Sequence, residues 1–157
     1  MNVYLVHHTS VLSAEQDPER HLSESGRAEC ARLGGWLKAN GVTPVRILHS
    51  EKQWSLESAE RIAEAMGQAD KTALAAYPCN TGHDVAPFIK EIEAADGDMM
   101  MVGHADFLIR TASKLLCGNE DANIVAFKPS WGTCFRLTRD GDNWALTSGW
   151  RQEHLAA

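Results

Sequence analysis

The sequence predicts an α/β fold, a three-layer α/β/α arrangement whose mostly parallel central sheet carries a C-terminal antiparallel hairpin. Three observations predict it. Short apolar runs at residues 3–7, 45–49 and 99–102 have the length and composition of buried strands. Segments with apolar residues at helical spacing separate them, and that alternation calls for parallel strands joined by helical crossovers. The last third of the chain holds three strand-like stretches in succession, at 124–127, 133–138 and 144–148.

The first strand, Val-Tyr-Leu-Val-His, stands at the start of the chain. A polar stretch over 9–21 containing Pro18 reads as a loop. Ser23 is placed to cap a helix with Cys30, Leu33, Trp36 and Leu37 at helical spacing, ending at Asn40-Gly41. Gly34-Gly35 lies inside that pattern rather than in a G-x-G-x-x-G phosphate loop, and reads as close packing. After the second strand, Leu56, Ala59, Ala63 and Met66 mark a helix face stopped by Gly67. Val85, Phe88, Ile89 and Ile92 mark a third helix, with Pro87 tolerable in its first turn. Following the third strand, Leu108, Ala112, Leu115 and Leu116 form a fourth, closed by Gly118. The last two strands join through Arg139-Asp140-Gly141-Asp142. Trp131, Trp144 and Trp150 are expected to pack in the core or at the sheet edge. With no repeat and no linker, residues 1–157 read as one domain.

Composition narrows the function. The formal charge of −6 comes from acidic and basic residues mixed along the chain, without the basic stripe of a nucleic-acid binder. No apolar run reaches the length of a membrane span, and no signal peptide begins the chain, so a cytoplasmic protein with no membrane partner is expected. Cys30, Cys79, Cys117 and Cys134 form no C-x-x-C pair, which excludes a zinc ribbon or thioredoxin motif. A serine-hydrolase elbow and a Walker sequence are both absent.

Histidines supply the candidate chemistry. In open α/β sheets ligands bind outside the carboxyl ends of the strands. His7-His8 follows the first strand, His49 the second and His104 the third. Taken singly, each is a polar residue where a strand meets solvent. Taken together they mark one crevice. Neutral imidazoles also bind transition metals, so His7, His8, His49 and His104, with His83 before the third helix, form an alternative metal pocket. Against it, no short H-x-x-x-H spacing occurs.

The words Tyr-Leu-Val-His-His (4–8), Asp-x-x-Arg-x-Leu-Ser-x-x-Gly (17–26) and Val-Gly-His (102–104), in this order, resemble the histidine phosphatase superfamily with its phosphoglycerate mutase-like fold. The likeness is to the small SixA-type phosphohistidine phosphatases and covers nearly the whole chain. The resemblance implies that His8 is the nucleophile that becomes phosphorylated and that His104 contacts the transferring phosphoryl group. It implies that Arg20 binds phosphate, a task suited to a planar guanidinium fork. No cofactor is implied. The implied partner is a phosphorylated protein or small phosphorylated molecule, and a monomer or weak dimer is expected.

Departures from the family pattern are as informative. Arg-His-Gly is replaced by His7-His8-Thr9, so His7 stands at the first phosphate-binding arginine. Ser-Pro-x-x-Arg is replaced by Ser50-Glu51-Lys52-Gln53-Trp54, so Trp54 stands at the second. One preorganised donor is worth roughly 10²–10³ in rate, so two uncompensated losses remove about 10⁴ or more. A protonated His7, or Lys52 from the next turn, would restore part of the charge. Glu15, Asp17 and Glu19 are acidic candidates for proton transfer in the loop after His8. The sequence therefore points to a divergent phosphatase, weak or altered in activity. The alternatives are an inactive member serving as a binding domain, or the histidine metal site.

Overall fold

The computed structural model describes residues 1–128 and 131–155. Along the chain run β1 (Asn2–His7), α1 (Glu24–Ala39), β2 (Arg46–His49), α2 (Gln53–Met66), β3 (Thr72–Leu74), α3 (Ala86–Ala94), β4 (Met99–Gly103), α4 (Ala105–Cys117), β5 (Cys134–Asp140), β6 (Asn143–Trp150) and α5 (Gln152–Leu155). The strands form one sheet in the order β3-β2-β4-β1-β5-β6. Its β3, β2, β4 and β1 neighbours are parallel, whereas β5 and β6 are antiparallel to β1 and to each other. This is the expected mixed sheet with its terminal hairpin.

Side-chain alternation along the strands makes the layers. Val3, Leu5, Met99 and Met101 face Phe88 and Ile92 of α3 and Phe107, Leu108 and Ala112 of α4. Their neighbours Tyr4, Val6, Met100 and Val102 face Leu33 and Leu37 of α1 and Ala59, Ile62, Ala63 and Met66 of α2. A strand covered on both faces is apolar at every position, which is why the run at 99–102 has no polar alternation.

Helix ends follow the expected chemistry. The Ser23 side chain accepts a hydrogen bond from the Gly26 N–H at 3.0 Å. Gly67 and Gly118 each adopt the left-handed conformation that ends α2 and α4.

The structure departs from the expected strand at 124–127 and the expected packing of Trp131, and it adds two short elements. Residues 124–127 form no strand. Val125 and Phe127 are buried, so apolar alternation is present, but β1 and β5 already pair with each other and leave no free edge there. The Ala126 carbonyl is instead held by Arg151 at 2.8 Å. The three-residue edge strand β3 and the short α5 were not anticipated, both being too short to display a period. Trp36 is 41% exposed, because the buried stripe of α1 runs through Cys30, Leu33 and Leu37 and leaves position 36 on its flank. Trp131 is 38% exposed and belongs to the candidate site described below.

The two helix-interior glycines separate. A Cβ on Gly34 would lie 2.4 Å from Ala65 Cβ and 2.7 Å from the Ile62 carbonyl, whereas one on Gly35 meets nothing within 4 Å. Close packing of α1 on α2 therefore rests on Gly34. Gly34→Ala is expected to cost about 1–3 kcal/mol in urea unfolding through overpacking. Gly35→Ala is expected to stabilise by about 0.5–1 kcal/mol through helix propensity.

Candidate active site

Strand order brings the two histidines together. His7 pairs with Gly103 across β1 and β4, and the His8 N–H donates to the Gly103 carbonyl at 3.0 Å. His8 and His104 are thus equivalent positions just past the ends of adjacent parallel strands, with ring centres 5.9 Å apart. On the other side of β4, His49 pairs with Val102, which sets Ser50 beside His104. The Ser50 hydroxyl lies 3.4 Å from His104 Nε2. His104 also caps the start of α4, whose N-terminal amides carry partial positive charge.

The ring nitrogens of His8 have distinct tasks. Nδ1 lies 2.9 Å from the Thr9 carbonyl oxygen, which only accepts, so Nδ1 holds the proton and Nε2 keeps its lone pair. Burial pushes the His8 pKa down to about 4, helped by His104, Arg20 and Lys128, against the opposing hydrogen bond to Thr9. Burial likewise lowers His104, while Glu51 opposes the shift. Both imidazoles are therefore neutral at neutral pH, the state a nitrogen nucleophile requires.

Arg20 is held by local geometry. Asp17 accepts the Glu19 and His21 N–H groups at 3.0 and 3.1 Å and pairs with His21 Nδ1 at 2.5 Å. Its carbonyl accepts the Arg20 N–H at 2.9 Å, and Arg20 takes φ 55°, an uncommon value outside glycine. The pairing holds the Asp17 carboxyl below its usual range, so Asp17 shapes the loop as an anion. The Arg20 guanidinium then lies 5.3 Å from the Trp54 ring centre and Lys52 Nζ 5.9 Å from it. Trp54 itself sits 6.2 Å from the His8 ring and 6.0 Å from that of His104.

His7 lies with its ring edge-on to that of His8, with centres 4.6 Å apart. It is 3% exposed and stacks on Trp131 at 5.0 Å, with Phe127 edge-on at 6.1 Å. Trp131 also lies 5.1 Å from the His8 ring. Sequence reasoning missed Trp131 and Lys128. Trp131 stands just before β5, whose pairing with β1 brings it to His8, and Lys128 acts on His8 through its charge. Thr9 is fully buried, with its N–H donating to Ser58 Oγ at 3.0 Å.

The other candidates lie apart from this chemistry. His49 Nδ1 is occupied by the Ser50 carbonyl at 2.8 Å, and His83 Nδ1 accepts the Asn80 N–H at 3.0 Å. Among the described residues, no group of three or more His, Cys, Asp or Glu side chains is placed to hold a metal ion, so the four histidines do not assemble as ligands. Glu15 and Glu19 are exposed in the loop. A cleft of about 410 Å³ lined by Val45, Arg46, Glu91, Asp96 and Met99 lies at the amino ends of the strands, opposite the histidines. All four cysteines are free thiols. No helix among the described residues is long and apolar enough to cross a membrane.

The strand order and the helices on both faces give the chain a phosphoglycerate mutase-like fold, with two histidines past adjacent central strands. The chain is similar to the protein histidine phosphatase SixA complexed with tungstate, with a TM-score of 0.78 and 18% identity over 96% of this chain and 97% of that one. It is also similar to a candidate SixA phosphohistidine phosphatase of Agrobacterium tumefaciens, with a TM-score of 0.74 and 19% identity over 95% and 96% of the two chains. A candidate α-ribazole-5′-phosphate phosphatase of Escherichia coli K-12 matches over 100% of both chains, with a TM-score of 0.73 and 14% identity. No protein-family model and no curated protein matches the sequence. At these identities the likeness is one of fold.

The depressed His8 pKa has a consequence for stability. In the unfolded chain the group titrates near 6.5, and in the folded chain near 4. The folded state therefore binds fewer protons between these values, so its contribution is intact above pH 6.5 and lost as pH falls toward 4. The gap corresponds to about 3 kcal/mol. Urea midpoints from pH 7 to pH 4 should fall less steeply for His8→Gln than for wild type. Equal slopes would show that His8 is not buried in its neutral form.

Proposed function

We propose that the chain is a SixA-like phosphatase in which His8 Nε2 takes a phosphoryl group from phosphohistidine or a related phosphorylated donor. The observation that carries this reading is the His8 hydrogen bond to the Thr9 carbonyl. It leaves Nε2 with its lone pair on a neutral imidazole beside His104, with Arg20 and Lys52 over the neighbouring Trp54 ring. Nε2 forms a bond to phosphorus as the donor's bond breaks, and water then releases phosphate and restores His8. His104 contacts the phosphoryl oxygens and Arg20 binds them from the loop. His7 fills its arginine position as a packed ring, which supplies no fork for phosphate. Turnover is therefore slow relative to members that have both arginines.

A second reading is favoured by Trp54, whose ring fills the pocket edge between Arg20 and the two histidines. In it the site binds phosphate without turnover. One experiment separates the two. The purified chain is titrated with vanadate, followed by tryptophan fluorescence, and then incubated for hours with a phosphorylated histidine-containing carrier. Vanadate binding with loss of the carrier's phosphoryl group supports the phosphatase. Vanadate binding with an intact carrier supports the binding domain. With neither result, both readings fail.

A further inference from the structure

Beside His104 lies a second feature, a cleft of about 380 Å³ lined by Glu51, Leu74, Tyr77, Asn80 and His83 among others. The loop that forms its far wall is tied to the start of α4, because the Gly82 N–H donates to Asp106 at 2.9 Å. Asn80 links its polar groups. Asn80 Nδ2 donates to Glu51 Oε1 at 2.7 Å, and the Asn80 N–H donates to His83 Nδ1 at 3.0 Å. The remaining acceptor of that amide, Asn80 Oδ1, is buried with no hydrogen-bond partner among the described residues.

Arg20 and Lys52 lie over the Trp54 ring beside His8 and His104, whereas Glu51 lines the cleft and is held there by Asn80. The cations Arg20 and Lys128 act on His8 together with His104. Of the groups acting on His104, Glu51 alone is an anion, alongside Lys52 and His83. A phosphoryl dianion belongs on the cationic side. The group that departs from phosphorus then faces a carboxylate.

We propose that this cleft is a leaving-group subsite for N-phosphorylated rings of the phosphoimidazole class, in which the Glu51 carboxylate accepts the N–H of the protonated ring. The inference rests on the phosphatase reading above and deepens it. In such a substrate one ring nitrogen is bonded to phosphorus and the other carries a proton. His8 Nε2 forms the new bond to phosphorus while the P–N bond breaks, and its electron pair returns to the ring. The departing imidazole is neutral, keeps its N–H toward Glu51 and needs no proton from the protein. An alkyl phosphate differs, because its alkoxide must be protonated as it leaves. Hydrogen bonds from its own backbone amide and from Asn80 hold the Glu51 carboxyl below its usual range, so it is a poor proton donor and a good acceptor.

The test compares wild type and Glu51→Gln on phosphoimidazole and on p-nitrophenyl phosphate, whose phenolate leaves without protonation. Glu51 is exposed, so the substitution leaves folding intact. Loss of a charged acceptor should lower kcat/KM for phosphoimidazole about 10–100-fold more than for p-nitrophenyl phosphate. An unchanged ratio between the substrates overturns the inference and leaves the phosphatase reading standing. So does a wild-type protein that hydrolyses p-nitrophenyl phosphate but not phosphoimidazole. A wild-type protein that hydrolyses neither overturns both.

Discussion

Substituting His8 by glutamine will abolish phosphoryl transfer, lowering turnover by about 10³-fold or more. Glutamine has no ring nitrogen lone pair, so no covalent intermediate forms. The size follows from the shape of the site. Among the described residues, His8 is the ring beside His104 and Trp54 whose Nε2 is left unprotonated by a backbone carbonyl on Nδ1, and in the proposed reaction His104 and Arg20 bind oxygens. The decisive readout is an acid-labile, base-stable phosphoenzyme, trapped from a labelled donor in wild type and absent from His8→Gln. Vanadate binding should weaken but persist in the variant, because Arg20 and the start of α4 remain. A variant that keeps the labelled intermediate would place the nucleophile elsewhere. His104→Gln, in contrast, is expected to retain a trace of the intermediate formed more slowly.

Trp54→Arg is expected to raise turnover by about 10²-fold, restoring one of the two guanidinium groups that the family resemblance expects. The ring of Trp54 lies close to both histidines and at the edge where Arg20 and Lys52 meet, so an arginine there reaches the same oxygens. The gain carries a cost without ligand. Three cations would share a small volume, and the cation–π contacts of Arg20 and Lys52 with the indole would be lost. The variant should therefore melt lower than wild type in phosphate-free buffer and recover part of the difference with phosphate. Unchanged turnover together with unchanged phosphate stabilisation would mean that position 54 does not stand for the missing arginine.

Much of the fold was legible because its signals are local. Ser23 at a helix start and Gly67 and Gly118 at helix ends act within a turn of where they stand. The apolar run at 99–102 announced a strand covered on both faces. The same local reading failed at 124–127, where burial alternates without a ladder, since alternation reports burial of side chains and says nothing about a free strand edge. It also failed to separate Gly34 from Gly35, because the difference lies in Ala65 and Ile62 of another helix.

For the site, local signals in the sequence put most strands and helices in order and placed histidines past three strand ends, and the family resemblance set His7 and Trp54 where two arginines are expected. These are properties of residues and their immediate neighbours. Only the tertiary structure decided that β1 and β4 are adjacent, so that His8 and His104 share a pocket while His49 is turned to its own carbonyl contact. It alone stacked His7 on Trp131 edge-on to His8, carried Arg20 over Trp54, and set Glu51 against Asn80 beside a cleft. The physical reason is that strand order and loop convergence are set by packing between segments far apart in the chain, which no local period or propensity encodes.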